Sequence, residues 1–450
     1  MLKLFLWLRY LGKKKVVLLS IAAVALSCAL LIVVASLFNG FIDAFERSAV
    51  DAIGDVVLAP PVKFEDYREL IERLEAIGTV EAATATLTTQ GLLHLGKGNV
   101  RAVEIWGIEV QKRGRVTAFE RSLLKGGGQT NKPQLAADSQ PMEGGSTTLT
   151  TGYVGIGILA EPDEKTDEYD FNAVGREVGR EAVLTTGAAD GGQEGGQPFR
   201  RRTLRLVIAD VVFTGVYELD SRIVYLPIEQ LQEVLYHESG PVAGQIQIKL
   251  IPGCNEAAAL ARIREVWEAF ASQHLGWEPH LILQTSIETA RQMQSRYVAE
   301  FRKQMGILLL IFGAVSLSAV LLIFCIFYMI VETRRKDIAI VKSCGAGSGS
   351  VALLFVEFGG CVGIIGAAAG TVLGYFITKN INTVEEWIRV IFGLKLWKSS
   401  VYMLSRIPTE VDWQAVIWIA LSAVAGAAIG AAVPAVSAAM TRPVNVLRYE

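Results

Sequence analysis

The stretch MGILLLIFGAVSLSAVLLIFCIFYMIV, at positions 305–331, contains no charged residue. A helix rises about 1.5 Å per residue, so roughly 20 apolar residues cross a bilayer core about 30 Å thick. Three further stretches reach that length: 16–37 and 415–436 carry no charge, and 351–377 holds one acid, Glu357. The sequence therefore predicts an integral membrane protein with four spanning helices.

The composition agrees with this prediction. The chain has 450 residues, of which 51% are hydrophobic and 20% charged, and its mean hydropathy is +0.38. Soluble domains contain about 25% charged residues. The formal net charge of -2 argues against a nucleic-acid partner, because nucleic-acid binding normally needs a basic surface.

Basic residues in the short flanks of the spans predict the orientation. The N-terminal flank (Lys3 to Lys15), the segment after 331 (Arg334 to Lys342) and the C-terminal tail (Arg442, Arg448) are all basic. We expect the first span to be a retained anchor, since it exceeds the 7–15 apolar residues of a signal peptide. Both termini are then cytoplasmic. The predicted fold class is membrane α-helical, with four transmembrane helices and a large mixed α/β extracytoplasmic domain between helices 1 and 2.

This topology predicts ten segments along the chain. They are a cytoplasmic N-terminus (1–15), helix 1 (16–39), the periplasmic α/β domain (40–286), a stalk helix (287–304), helix 2 (305–331), a cytoplasmic loop with a short helix (332–350), helix 3 (351–378), a periplasmic loop (379–413), helix 4 (414–437) and a cytoplasmic tail (438–450). Within the outer domain, the glycine-rich stretches 126–152 and 187–197 are predicted to be long loops.

Small residues recur at four-residue spacing in the last two spans. In lipid, such residues let helix backbones approach closely. The pattern predicts helix packing, either within this bundle or against another subunit, and it involves Gly366, Gly370, Gly374, Gly426 and Gly430. Glu357 stands alone, so the spans lack the chain of buried charges that proton-coupled transport requires.

The loop after the second span is basic and amphipathic. It predicts a short helix that ends at Gly345, with Ile338 and Val341 on one face. One interpretation is a segment lying on anionic lipid, and the other is a docking helix inserted into a groove of a cytoplasmic partner.

Two motifs in this half of the chain resemble a known superfamily. ETRRKDIAIVKSCGAG (332–347) with LLFVEFGGCVGIIGAAAGTVLGY (353–375), and the terminal PAVSAAMTRPVNVLRYE (434–450), are similar to the hallmark segments of MacB/FtsX-superfamily ABC transporter permeases. SLFNGF (36–41) and VVFTGVYELDSRIVYLPIEQLQEVL (211–235) resemble segments of the lipoprotein-releasing, LolC/LolE-type branch.

The resemblance implies a permease subunit of the mechanotransmission type in the inner membrane, driven by a separate cytoplasmic ABC ATPase. ATP and Mg²⁺ would bind that partner, and this chain would hold no cofactor and no metal. A second permease copy or a paralogue, acylated lipoproteins, a periplasmic carrier and membrane lipid would be its other partners. The ATPase-coupling residues would be Arg335, Lys336, Asp337, Ile338, Ile340, Val341, Lys342 and Gly345.

The resemblance also assigns a substrate path and a carrier site. Asn39, Gly40 and Phe41, at the exit of the first span, would help to line a lipid-facing cavity. In this branch, a hairpin before the strand at Val211 hands cargo to the carrier. Residues 187–202 fall there, but their glycine-rich sequence lacks a hairpin pattern.

The sequence bears on three alternative functions: efflux, signal transmission and catalysis. A MacB-type efflux permease normally carries a fused ATPase, whereas this chain is expected to work with a separate one. An FtsX-type signal transmitter that controls envelope hydrolases usually has a much smaller outer domain. As for an enzyme, GLLHLGKG (91–98) nearly matches a phosphate-binding loop, but Gly98 replaces the Ser/Thr that binds Mg²⁺, which favours a strand and turn.

Overall fold

The structure is a computed structural model that describes residues 15–96, 98–125, 149–163, 169–188, 200–236, 240–393, 395, 397–398 and 406–441. The expectations for 1–14, for 126–148 and for 442–450 lie outside these residues. The chain divides into two compact units. The membrane unit comprises Met1–Asp43, Tyr297–Trp387 and Ile407–Glu450, and the outer unit comprises Ala44–Arg296 with Ile388–Arg406.

The helices and strands follow each other along the chain as the α/β prediction requires. The α-helices are α1 (Lys15–Ile53), α2 (Tyr67–Glu75), α3 (Val110–Val116), α4 (Ile156–Leu159), α5 (Phe171–Gly175), α6 (Tyr217–Arg222), α7 (Ile228–Leu235), α8 (Glu256–Gln273), α9 (Pro279–Leu283), α10 (Ala290–Thr333), α11 (Arg335–Ser343), α12 (Ser348–Lys379), α13 (Ile381–Phe392) and α14 (Trp413–Met440). The strands are β1 (Val56–Ala59), β2 (Phe64–Glu65), β3 (Val80–His94), β4 (Val100–Ile108), β5 (Leu149–Gly155), β6 (Glu181–Ala188), β7 (Arg200–Val212), β8 (Ile223–Pro227), β9 (Val242–Ala243), β10 (Gln245–Leu250) and β11 (Ser286–Thr289).

Among the described residues, four helices, α1, α10, α12 and α14, are long and apolar enough to cross a membrane. The mixed α/β domain lies in the sequence between α1 and α10, so the predicted fold class is confirmed. Some elements differ from the expected bounds. Helix α1 continues past 39 to Ile53, residues 287–289 form the end of β11, and the predicted loop 379–413 contains helix α13.

The outer unit is built on a nine-stranded mixed sheet in the order β11-β1-β10-β3-β4-β8-β5-β7-β6. Strand β3 is long enough to pair with β10 along its first half and with both β4 and β6 along its second. Pairing of β6 with β3 closes six strands into a ring. Strand β5 begins at Leu149, so the predicted loop 126–152 is wrong for its last four residues.

The main core of this unit lies between the sheet and the amphipathic helices α2, α7 and α8. Tyr67, Leu70 and Leu74 of α2 and Trp267 and Phe270 of α8 are almost completely buried there. In α2 the apolar residues recur at three- and four-residue spacing, which places them on one helix face. A second, aromatic core surrounds the side chain of Arg113, described below.

Candidate functional site

The predicted docking helix is present as α11. It ends where Gly345 adopts φ +98°, a left-handed conformation that only glycine adopts without strain. The amide of Gly345 donates to the carbonyl of Lys342 at 3.1 Å and closes the last turn. Glycine at this position thus stops the helix and allows the chain to turn into α12.

One face of α11 is buried within the membrane unit. Ile338 is 7% exposed and packs with Val331, Val351 and Ala438, which belong to α10, α12 and α14. We expected Ile338 and Val341 to share a face, but Val341 is 53% exposed. Three residues turn a helix through about 300°, so the two side chains lie about 60° apart, and the edge of the bundle falls between them.

Lys342 is also engaged within the chain. Its Nζ donates to the carbonyl oxygens of Ala439 (2.6 Å) and Thr441 (2.9 Å) at the C-terminal end of α14. Carbonyls in a helix's last turn lack partners within the helix and carry partial negative charge, which a cation stabilises. The sequence assigned Lys342 to the partner surface, whereas the structure shows it anchoring α11 to α14.

The remaining predicted coupling residues are exposed together. Ile340 and Val341 are each 53% exposed, and Arg335, Lys336 and Asp337 are exposed beside them. We call these five residues the coupling surface. It combines two apolar side chains with a charged rim, the composition of a docking surface.

The glycines of α12 pack against α1. A Cβ on Gly370 would lie 2.6 Å from the carbonyl oxygen of Ala25 and 2.8 Å from Cβ of Cys28, so a larger side chain would push the helices apart. Gly366 and Gly374 meet α1 one turn to either side, at Val24 and Ile32. These three glycines therefore serve packing inside this chain.

The glycines of α14 pack against α10. A Cβ on Gly430 would lie 2.9 Å from the carbonyl oxygen of Val320, and one on Gly426 would lie 3.1 Å from Cγ2 of the same residue. Each small-residue stripe thus brings one helix of this bundle close to another.

The predicted substrate-path residues occupy the end of the membrane part of α1. The side-chain amide of Asn39 donates to Oδ2 of Asp412 at 2.6 Å, while Oδ1 of Asp412 caps α14 through the amides of Gln414 and Ala415. Phe41 is 6% exposed and meets Phe301 edge to face, with ring centroids 4.8 Å apart. In this conformation Asn39 and Phe41 hold α1 against α14 and α10.

The outer unit contains a junction that sequence reasoning missed, centred on Asp55. Its backbone carbonyl accepts from the amide of Ala290, where α10 begins, and its carboxylate accepts from the amide of Leu250 at 2.8 Å. Strands β1 and β11, which follow α1 and precede α10, pair antiparallel from Val56–Thr289 to Ala59–Ser286. The end of α1 and the start of α10 are thus joined in one sheet edge. Nothing in the local sequence around Asp55 indicates this pairing.

Arg113 is the second residue that the sequence did not single out. It is 1% exposed and lies among the rings of Trp106, Phe119 and Tyr225, 5.2–5.8 Å from their centroids. Its guanidinium donates to Oε1 of Gln247 (2.9 Å) and to the carbonyl of Ala52 in the last turn of α1 (3.0 Å).

The electrostatics of this cluster follow from burial. Burial lowers the pKa of Arg113 to about 10, which leaves it cationic at neutral pH, and burial raises the pKa of Tyr225 to about 12. Among the described residues no carboxylate forms an ion pair with Arg113, so the helix carbonyl and the aromatic faces are its counter-dipoles. The end of α1 is therefore bound to the outer sheet by a buried cation.

The FTGVYELDS segment folds around its aspartate. Asp220 is 2% exposed and accepts hydrogen bonds from the amide and hydroxyl of Thr214 and from the amide of Gly215, at 2.7–3.0 Å. Burial outweighs these bonds and raises the pKa of Asp220 to about 6. The motif is thus a closed turn that links β7 to α6.

The segment before Val211 forms a hairpin, contrary to our expectation for 187–202. Strands β6 and β7 pair antiparallel from Glu181–Val207 to Ala188–Arg200, and residues 189–199 that join them lie outside the described part. In β6, Ala182, Leu184 and Thr186 are buried, whereas Glu181 and Val183 are exposed. The alternation is short and largely made of small or polar residues, so the sequence signal was weak.

The phosphate-loop-like stretch is part of the hairpin of β3 and β4, with Gly91 to His94 in β3 and Lys97 outside the described residues. A Cβ on Gly91 would lie 2.7 Å from the carbonyl oxygen of Thr185, so this glycine allows β6 to approach β3. Over the described residues, no three His, Cys, Asp or Glu side chains come together as metal ligands.

Comparison with known proteins places these features in a family context. Residues 293–443 match the family model described as FtsX-like permease C-terminal. The chain is 27% identical to the lipoprotein-releasing system transmembrane protein LolC of Neisseria meningitidis serogroup B, over 100% of this chain and 99% of the relative. It is 24% identical to the transmembrane protein LolE of the same system in Haemophilus influenzae, over 98% and 97% of the two chains.

Among solved structures, the periplasmic region of MacB from Actinobacillus actinomycetemcomitans is 13% identical, with a TM-score of 0.32, and covers 55% of this chain and 95% of its own. The resemblance inferred from the sequence is confirmed by the family model and the full-length relatives. The chain carries an FtsX-like permease domain, which spans α10 to α14, and it is similar over its whole length to lipoprotein-releasing permeases.

Proposed function

We propose that the chain is the permease subunit of an ABC transporter that releases lipoproteins from the inner membrane to a periplasmic carrier by mechanotransmission, driven by a separate cytoplasmic ATPase. The observation that carries this proposal is similarity to LolC and LolE over the full length of both chains. In this proposal both termini and α11 are cytoplasmic, and the outer unit is periplasmic. ATP and Mg²⁺ bind to the ATPase, and this chain binds no cofactor.

The coupling surface receives the ATPase. Ile340 and Val341 enter a groove of that partner, and Arg335, Lys336 and Asp337 pair with charges at its rim. Ile338 and Lys342 fix α11 to the ends of α10, α12 and α14, so a displacement of α11 moves those helices with it. The packed contacts of α11 support this transmission. A helix held only by its linkers would instead move without displacing the spanning helices.

The junction at Asp55 delivers that movement to the outer unit. Because β1 and β11 are adjacent in the sheet edge, a relative shift of α1 and α10 must either move the edge or break its pairing. Arg113 and Asp55 make breakage costly, since both hold buried or partly buried backbone groups. The movement therefore passes into the sheet.

Release of cargo requires α1 to separate from α14. In this conformation the Asn39–Asp412 bond keeps the outer ends of the two helices together. We propose that the driven state breaks this bond and admits the acyl chains of a lipoprotein beside Asn39, Gly40 and Phe41. A second permease copy or a paralogue completes the cavity, and the β6–β7 hairpin, at the place that the resemblance assigns to carrier transfer, receives the carrier.

A double substitution in the coupling surface tests the first step. Ile340→Asp/Val341→Asp places two charges on the exposed face of α11 and leaves Ile338 in the core. An interface with an apolar centre loses 2 kcal/mol or more from such a change, about thirtyfold in affinity. We expect the ATPase subunit to be lost when the full-length tagged chain is purified from its native membrane, and ATPase stimulation by the chain to be lost with it.

Ser350→Asp is the matched control, because Ser350 is exposed at the start of α12 and outside the coupling surface. It should retain the ATPase. Retention by the double variant at the level of the control would contradict the coupling surface.

The identity of the cargo is tested by mass spectrometry of what co-purifies with the unmodified chain. Acylated lipoproteins together with an ATPase support lipoprotein release. An ATPase with a regulator of envelope hydrolases would instead indicate an FtsX-type signalling role, and small hydrophobic compounds without lipoproteins would indicate MacB-type efflux. Reproducible absence of any ATPase would contradict the transporter assignment.

A further inference from the structure

Helix α13 is strongly amphipathic and has no buried residue. At about 100° per residue, Ile381, Val384, Trp387, Ile388, Ile391 and Phe392 fall within an arc of about 140°. Trp387, Ile391 and Phe392 are 68%, 70% and 69% exposed. A soluble protein rarely leaves such a continuous apolar face in water, so this face has an occupant that the described residues do not provide.

The neighbouring residues place α13 at the membrane boundary. Trp413 stacks on Tyr375, with centroids 5.9 Å apart, where α14 begins and α12 ends, and Nζ of Lys379 lies 5.7 Å from the Tyr375 ring. Aromatic side chains and lysines are enriched where a spanning helix crosses the membrane–water interface. Ile381 follows Tyr375 by six residues. These six residues span at most about 20 Å if fully extended, and about 9 Å if helical. Helix α13 thus starts at the headgroup level.

The roll of α13 about its axis is fixed by Asn382. Its side-chain amide donates to the carbonyl oxygen of Ile407 at 3.0 Å and accepts from the amide of the same residue at 3.1 Å. Asn382 lies about 180° from Ile391 around the helix, so the apolar arc faces away from the segment that Asn382 binds. This pair of hydrogen bonds prevents the helix from turning its apolar face toward that segment.

We infer that α13 is an interfacial helix that lies on the bilayer at the side where α12 ends, with the Trp387–Ile391 face embedded among zwitterionic phospholipids. On α12, which ends two residues before α13 begins, Val372 and Phe376 are also more than half exposed, as expected for side chains that face lipid. Outside the apolar arc, Glu385, Glu386 and Arg389 give a net charge of -1, so attraction to anionic lipid does not contribute. The inference goes beyond the proposed function and rests only on the membrane spans and on α13 itself.

The inference predicts where lipid reaches the helix. In full-length chain reconstituted in phosphatidylcholine vesicles, a spin label at Ile391→Cys should collide with oxygen more than with a water-soluble nickel chelate. The same label at Glu386→Cys, on the polar face of the same helix, should show the opposite ratio. Both variants are made in a background that lacks the five native cysteines.

A second measurement avoids cysteine replacement. The difference in fluorescence between wild type and Trp387→Phe reports Trp387 alone. Lipids brominated near the headgroup should quench this signal, because the ring is expected about 5–10 Å into the headgroup and acyl boundary. Trp418→Phe, which removes an exposed ring in α14, is the positive control for lipid contact.

Two results would show that lipid does not cover the face, and a third concerns the kind of lipid. If the Ile391→Cys label favours the nickel chelate and the Trp387 signal is unquenched, the face lies in water. If the label is shielded from both reagents and the signal is unquenched, a protein covers the face, such as a second permease chain. Unchanged ratios when anionic lipid is added would support the zwitterionic assignment, and a large increase in lipid contact would contradict it.

Discussion

Replacement of Arg113 by methionine tests the bond between the end of α1 and the outer sheet. The change leaves Oε1 of Gln247 and the carbonyl oxygen of Ala52 without this donor, in a site where Arg113 is 1% exposed. A buried acceptor without a partner costs about 1–3 kcal/mol, and lost cation–π contacts add about 0.5–2 kcal/mol. Part of this loss of stability is offset in the methionine variant, because a cation no longer has to be buried.

We expect a net loss of about 3 kcal/mol from the free energy of opening of the outer unit, or about a hundredfold in the opening equilibrium. Hydrogen exchange of the full-length chain, measured at the amides of β3 and β10, reports this equilibrium. The amide of Ala118, which donates to the carbonyl of Asp51 at 2.8 Å, should also exchange faster, because α1 loses its cap.

Arg115→Met is the control, since Arg115 is exposed on the same helix, α3, and its removal should cost less than about 0.5 kcal/mol. Arg113→Lys should approach the loss of the methionine variant, because one ammonium group cannot replace the guanidinium fork. Exchange in Arg113→Met within twofold of the control would refute the assignment of Arg113 as the link between α1 and the sheet.

Three further outcomes follow from the contacts. Lys342→Met should speed exchange at the last turn of α14 about tenfold, since two carbonyls lose a cation, whereas Lys336→Met should not. Gly370→Leu should destabilise the membrane unit by about 1–3 kcal/mol in thermal unfolding, because Ala25 backbone blocks the side chain, and Gly360→Leu, with open space around it, should have little effect. Because burial raises the pKa of Asp220 from 3.8 to about 6, its contribution favours the fold below pH 4 and is lost as pH rises toward 6. The protection factors of amides near α6, which allow for the intrinsic rise of exchange with pH, should therefore fall over that range in wild type but not in Asp220→Asn.

The membrane part of the fold was predictable because its signal is local. A spanning helix must satisfy every backbone group by itself, so length and absence of charge decide the outcome without knowledge of neighbours. The four spans and the glycine end of α11 at Gly345 were found in this way. Helix α13, within the predicted loop 379–413, was missed because its 12 residues are too few to span a bilayer and its apolar residues are interrupted by charges.

The candidate site was only partly predictable, because roles depend on what faces each side chain. The motif named Ile338, Val341 and Lys342 together, yet one is buried, one exposed and one bound to the end of α14. Helical spacing gives the angle between two residues but does not say where the edge of the bundle falls. The hairpin of β6 and β7 was missed for a related reason, since its pairing is set by contacts with β3 and β5.

By itself the sequence determined the spanning helices, the mixed α/β class of the outer domain and the resemblance to lipoprotein-releasing permeases, because hydrophobic length, periodicity and motif residues are contiguous in the chain. Only the tertiary structure decided that Asp55 joins the end of α1 to the start of α10, that Arg113 binds the end of α1, and that Asn39 donates a hydrogen bond to Asp412. Each of these contacts joins residues far apart in sequence. Burial and partner geometry, which give such contacts their energy, exist only once the chain has folded.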